Sequence, residues 1–291
     1  MTAEDKLAAI LAAVQTDPGN RGLARDPVDN LFTATRGDFQ AACRSIANHR
    51  EPHIHITTGF YIPSAQPPAF ETDGPLGALF FVRAMNQLNI ATGIRCYPEL
   101  EAALQHAARE QCAIEPTEIA SPVTHHLWIE CVGTGSGGRC YSMRGNDVTT
   151  PQAVHNLDLL IRASQTRDIE HIGIGDGGNE IGMGKIPHET VVKNIPHGDK
   201  IHSRVPANHL IVAGVSNWGA YALAAGVFVL RGVKPSSELF NTERECEILA
   251  ELVRDCPLVD GVTGMPTATV DGLTWADYTN PLARIRDILE L

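Results

Sequence analysis

The sequence is first defined by what it does not contain. Across 291 residues there is no apolar run long enough to span a bilayer. There is no long basic run, and the formal net charge is -11, which argues against nucleic acid or an anionic membrane as the main partner. The seven cysteines (Cys43, Cys96, Cys112, Cys131, Cys140, Cys246 and Cys256) form no Cys-x-x-Cys pair, so a zinc clip is excluded. Their odd number points to reduced thiols and a cytoplasmic setting. The opening "MTAEDKLAAILAAV" places acids ahead of its apolar part and lacks the basic start of a signal peptide. No repeat of solenoid period, no low-complexity linker and no Gly-x-Ser-x-Gly elbow occurs, and no cysteine has a histidine-backed nucleophile context. A small-molecule substrate is therefore the expected partner, with self-association into a homo-oligomer left open.

What remains is an ordinary globular composition, 43% hydrophobic and 20% charged. Strand-like and helix-like segments alternate along it. "HIHITT", "ATGIRCY", "THHLWIEC", "IEHIGIG" and "NHLIVAG" read as strands. "FQAACRSIANH", "DGPLGALFFVRAMNQL", "PELEAALQHAARE", "TPQAVHNLDLLIRASQ", "SNWGAYALAAGVFVLRG", "TERECEILAELVRD" and "NPLARIRDILEL" read as helices, with Ser216 or Asn217 expected to cap the fifth. This alternation predicts an α/β fold: a mostly parallel open sheet with helices on both faces, in three layers. One domain over residues 1–291 is expected, with residues 1–25 an N-terminal helix and loop and residues 235–291 a helical tail. Ligands of such sheets lie beyond the carboxyl ends of the strands.

The least ordinary sequences fall at that edge. "HIGIGDGGNEIGMGK" holds a formal Gly-x-Gly-x-x-Gly through Gly173, Gly175 and Gly178. As a P-loop it fails twice: Asn179 stands where the first glycine belongs, and Ile186 replaces the magnesium-binding hydroxyl. As a dinucleotide loop it would set Asp176 and Glu180 against a pyrophosphate, a repulsion of several kcal/mol in a partly dry site. The carboxylates instead suit a ligand with a positive end, or proton transfer. If the chain turns helical after Gly177, Asp176 and Glu180 share one side. The plainer alternative has Asp176 capping that helix and Glu180 solvated.

Other loops supply further candidates. Thr57, Thr58 and Gly59 end a strand with hydroxyls and N–H groups fit for a carboxylate or phosphate, or else form a polar turn. Asp73 is either an N-cap for the helix near Pro75 or a third acid aimed into the cleft. Ser216 and Asn217 stand at a helix start, beside Trp218 as a wall or as core. His53 and His55 form His-x-His, but toward the wrong end of their strand for a metal site, so they are expected in the core or at an edge. His188, His197 and His202 show no ligand spacing either.

The blocks "TTGF", "TDGPLGA", "MRG", "GIGDGGNEIGMGK" and "GVSNWGAYAL", in this order, resemble the D-glutamate cyclase family. The resemblance runs from about "DPVDNLF" to the Trp218 helix, and implies conversion of D-glutamate to 5-oxo-D-proline plus water. Lactam closure needs a base for the substrate ammonium and an acid for the departing oxygen. On the residues themselves, Asp176 and Glu180 are expected to divide these roles in either order, with Asp73 in reserve. Gly177 and Gly178 are expected to offer oxyanion N–H groups. Thr57, Thr58, Ser216 and Asn217 are expected to hold the α-carboxylate, and Lys185 or Arg144 to neutralise a carboxylate. No cofactor is expected; the alternatives are Mg²⁺ on Asp176, Asn179 and Glu180, acting on a related small carboxylate or phosphate ester, or a non-catalytic amino-acid or nucleotide-binding module.

Overall fold

A computed structural model describes residues 1–112, 123–150 and 169–291, and the side chains of all these except residues 109–112. In chain order the elements are α1 (Ala3–Val14), α2 (Leu31–Ala34), α3 (Asp38–Asn48), β1 (His53–Thr58), β2 (Tyr61–Ile62), β3 (Ala69–Glu71), α4 (Pro75–Gln87), β4 (Ala91–Ile94), α5 (Pro98–Cys112), β5 (His125–Ile129) and β6 (Glu170–Gly175). They continue with α6 (His188–Asn194), α7 (Gly198–Ile201), β7 (His209–Val212), α8 (Ser216–Arg231), a 3₁₀ turn (Ser237–Phe240), α9 (Thr242–Asp255), β8 (Leu258–Val259) and α10 (Trp275–Ile288). The helix read over residues 150–165 lies outside the described residues, save its first.

Five strands form one parallel sheet in the order β4-β1-β5-β6-β7. The predicted three-layer α/β architecture is therefore present. Side chains alternate across this sheet, as the period of two requires. Ile54, Ile56, Leu127, Ile129, Ile172, Ile174 and Ile211 enter the main core with α1, α3, α4 and α8. Leu210 and Val212 point the other way, into a second cluster with Val191 of α6 and Ile201 of α7. Helix α8 is buried from Ser216 to Phe228, so it is apolar on every side, as a central helix must be.

Counted among its own strands alone, the sheet runs 2-1-3-4-5, and its order reverses between β1 and β5. The chain leaves these neighbours in opposite directions, which opens a crevice at their carboxyl ends. A second sheet, β2-β3-β8, stands beside it. Its β3 ends at Glu71, two residues before Asp73, so this small sheet carries acids to the crevice.

The two helices at the crevice cap each other. Asp73 accepts the backbone N–H groups of Ser216 and Asn217, both at 2.8 Å, at the start of α8. Asn217 accepts those of Gly74 and Gly77 at 2.8 and 2.7 Å, at the start of α4. The expected local cap of α8 by Ser216 or Asn217 is thus wrong. A carboxylate from across the fold meets the positive end of the helix dipole better than a local hydroxyl. Helix α10 also begins earlier than expected, at Trp275, because Thr274 accepts from the Asp277 N–H at 3.2 Å; Pro281 lies inside it.

Candidate active site

At the switch point a cavity of about 170 Å³ is lined by Arg21, Glu71, Asp73, Glu130, Asp176 and Asp271. Further lining comes from Asn179, Met143 and Arg144. Each strand end supplies one part. Glu130 follows β5 in a left-handed conformation (φ 48°), and Asp176 follows β6. Asp271, also left-handed (φ 56°), comes from the loop after β8. That loop is organised by Asp260, whose carboxylate accepts the N–H groups of Val262, Thr263 and Gly272 at 3.0, 2.9 and 2.8 Å.

Arg21 reaches this cavity from the loop after α1. Asp17 shapes that loop by accepting the N–H groups of Arg21, Gly22 and Leu23 at 2.8, 2.7 and 3.0 Å. The guanidinium then donates to Asp176 Oδ2 at 2.5 Å and to the Gly214 carbonyl at 3.0 Å, and lies 2.9 Å from Asp271 Oδ2. Burial opposes its charge, but Asp176 and Asp271 outweigh that, so its pKa is raised. Among the described residues it is the cation paired with the cluster.

The surrounding carboxyls cannot all be ionised. In each of two trios, Asp73/Asp176/Asp271 and Glu130/Asp176/Glu180, the nearest oxygens lie within 4.8 Å of one another. Two like charges at that distance repel by at least about 3 kcal/mol even at an effective dielectric constant of about 20. Burial, then the charge of Asp271, pushes Asp73 up to about 7, against the pull of the Asn217 and Ser216 amides and of Arg21. Burial and then Asp271 and Asp73 hold Glu71 well above the carboxylate range, and Glu71 shares a hydrogen bond with Glu130. Glu130 is raised by burial and then by Asp176 and Glu180. Asp176 is raised by burial, with Arg21 opposing. Different environments thus spread the proton affinities of neighbouring acids.

Of the residues chosen from sequence, Asp73, Asp176, Asn179 and Arg144 line the cavity. Arg144 donates to the Val262 carbonyl at 3.0 Å. Glu180 is near but differently used. The chain does not turn helical after Gly177; Glu180 is buried, neither solvated nor on a helix with Asp176. Its carboxylate folds back to accept the N–H groups of Asp176 at 2.9 Å and Gly178 at 2.8 Å, which closes the loop on itself. The Gly178 N–H is therefore committed to Glu180 rather than offered to an oxyanion. Gly177 is a close-packing position, where an added Cβ would stand 2.5 Å from the Met143 sulfur.

The remaining candidates sit elsewhere. The Thr57 hydroxyl bonds His126 Nε2 at 2.8 Å on the opposite face of the sheet. The Thr58 hydroxyl is buried against Gly74. Gly59 (φ +110°) packs on Leu100. Ser216 donates to Glu130 Oε2 at 2.5 Å, and Asn217 is spent on its helix cap, so neither is free for an α-carboxylate. Lys185 pairs with Asp38 Oδ2 at 2.6 Å, away from the cavity. Trp218 is core, its indole N–H bonded to the Tyr278 carbonyl at 2.9 Å. His53 and His55 are both half-buried on β1.

Sequence reasoning missed Arg21, Glu71, Glu130 and Asp271. Glu130 carried a usable signal, since it directly follows a strand at the carboxyl edge. The others become visible only when separate segments meet.

Comparison with known proteins agrees with this picture. The family described as "D-glutamate cyclase-like, C-terminal" matches residues 10–286. "D-glutamate cyclase, mitochondrial" of Homo sapiens is 30% identical over 322 aligned positions, covering 94% of this chain and 50% of the human protein. The chain thus spans about half the length of this curated relative. On the family match and this relative together, the chain belongs to the D-glutamate cyclase-like family, in its C-terminal part.

Proposed function

We propose that this chain is a hydro-lyase that cyclises D-glutamate to 5-oxo-D-proline, releasing water. The observation that carries the reading is a small cavity in which Asp73, titrating near neutrality at about 7, faces Glu71, which holds its proton. Family membership and the human relative's name supply the reaction class.

The chemistry needs two protons to leave the substrate nitrogen and two to reach the departing oxygen, with no net uptake. Asp73 takes the first proton from the ammonium, freeing the amine as nucleophile, since a base titrating near the working pH is best matched to this step. Glu71 protonates the γ-carboxylate, which makes it an acceptor. The C–N bond forms, the second N–H proton passes to the hydroxyl, and the C–O bond breaks with loss of water. A proton returning from Asp73 to Glu71 resets the pair. Arg21 keeps Asp176 and Asp271 in place, and Arg144 at the wall meets the α-carboxylate. Because the reaction is intramolecular, much of the gain comes from folding the substrate into a reactive conformer.

A cytoplasmic setting is part of this proposal, supported by the free thiols of Cys43, Cys96, Cys131, Cys140, Cys246 and Cys256. Among the described residues no helix is long and apolar enough to cross a membrane. The test incubates the purified chain with D-glutamate, L-glutamate and both 5-oxoprolines, followed by chiral separation and mass analysis. Loss of one water from D-glutamate is expected. No interconversion with any of the four compounds refutes the proposal.

A further inference from the structure

Two carboxylate trios share Asp176, and they differ in one respect. Asp73, Asp176 and Asp271 already face a cation, because the Arg21 guanidinium lies against Asp176 and Asp271. Glu130, Asp176 and Glu180 come equally close together, and all three are buried. Arg21 meets this trio only at Asp176, and the other bonds are the Ser216 hydroxyl and Glu71 to Glu130 and the Asp176 and Gly178 amides to Glu180. Such bonds fix and orient the carboxylates and leave further lone pairs on each oxygen.

A fourth oxygen stands beside this trio. Asn179 is 2% exposed, and its Nδ2 donates to the Tyr141 carbonyl at 2.9 Å, which directs Oδ1 the other way. That Oδ1 is buried without a hydrogen-bond partner. An orphaned buried acceptor is costly, so its retention points to a ligand. Oδ1 also stands near one oxygen of the trio, Glu180 Oε1. It lies 2.6 Å, and Glu180 Oε1 3.0 Å, from where a Gly177 Cβ would stand. The Met143 sulfur packs 2.5 Å from the same point, and Asn179 lines the cavity together with Glu130 and Asp176.

We infer that Glu130, Asp176, Glu180 and the Asn179 side-chain oxygen form a site for one hard divalent cation, Mg²⁺ or Mn²⁺, at the floor of the cavity. The donor set is all oxygen, which selects this class over zinc or copper. The site uses neither Asp73 nor Glu71 as a ligand, although Glu71 is hydrogen-bonded to Glu130 and Asp73 lies close to Asp176. A cation there also resolves an electrostatic problem of the cavity, because a substrate bearing carboxylates must otherwise enter a ring of acids.

The test is binding of Mn²⁺ to the EDTA-treated, desalted chain without substrate, by electron paramagnetic resonance and calorimetry, with Mg²⁺ as competitor. One Mn²⁺ per chain, displaced by Mg²⁺, is expected. Asn179→Leu should weaken binding about tenfold or more, and Asn179→Asp, which adds a charged oxygen in the same place, should tighten it. No stoichiometric Mn²⁺ binding overturns the inference. So does affinity unchanged in Asn179→Asp, a variant that keeps the fold even if Asn179→Leu loses it. Lactam formation by a chain that binds no metal removes this site and keeps the reaction; metal binding without lactam formation does the reverse.

Discussion

Replacing Arg21 with methionine keeps the stem of the side chain and deletes the cation between Asp176 and Asp271. The carboxyl cluster then holds one uncompensated negative charge in a buried setting. Keeping that charge buried would cost several kcal/mol, so the cluster takes up one more proton instead. Protonating a carboxyl that ionises near 3.9 in the unfolded chain costs about 4 kcal/mol at pH 7, at about 1.4 kcal/mol per pH unit. The variant's native state then binds one proton more than its unfolded state, so its folded carboxyl pKa is raised. Its deficit is fully present at pH 7 and shrinks toward acid. Urea unfolding followed by circular dichroism should show a loss of about 4 kcal/mol at pH 7 and about 1.5 kcal/mol at pH 5. A loss below about 1 kcal/mol at pH 7, or one that does not change between these pH values, refutes the view of Arg21 as the cluster's counter-charge. Arg21→Lys should recover only part, because one ammonium cannot reach Asp176, Asp271 and the Gly214 carbonyl together.

Asp73→Asn should lower D-glutamate turnover by about 10²-fold or more. Wild-type kcat/KM should rise with pH through about 7 as Asp73 ionises, and this limb should vanish in the variant's pH profile. Gly261→Ala would set a Cβ 2.2 Å from Glu71 Oε2. Since that atom ends a flexible side chain, Tm should move little while kcat falls, measured by thermal melting and turnover together. Asn217→Ala strands the Gly74 and Gly77 amides at the start of α4 and should cost about 2–4 kcal/mol in urea unfolding.

The sheet was legible because its strands are short apolar runs punctuated by glycine, and each run recurs near its predicted place. The carboxyl-edge rule then pointed to Asp73 and Asp176, which line the cavity. The helix expected after Gly177 failed for a local reason. The Glu180 carboxylate satisfies two loop amides that a helix would otherwise have needed to pair. Arg21 was hidden in a turn-rich segment with no periodicity, and its meaning depends on Asp17 shaping that turn. Glu71 and Asp271 arrive through the small β2-β3-β8 sheet and the loop after it, whose two- and three-residue strands leave almost no pattern.

The meeting of Arg21 with Asp271 has a consequence for how the protein is made. One group lies in the loop after the first helix, the other in the loop before the last, and both close on Asp176 from the middle of the chain. During synthesis the cluster cannot be completed until Asp271 has left the ribosome and docked. Until then Arg21 lacks one of its two acidic partners and the crevice one of its walls. Late, near-simultaneous assembly would make catalytic competence a report that the whole chain has folded, which a partly folded chain cannot imitate.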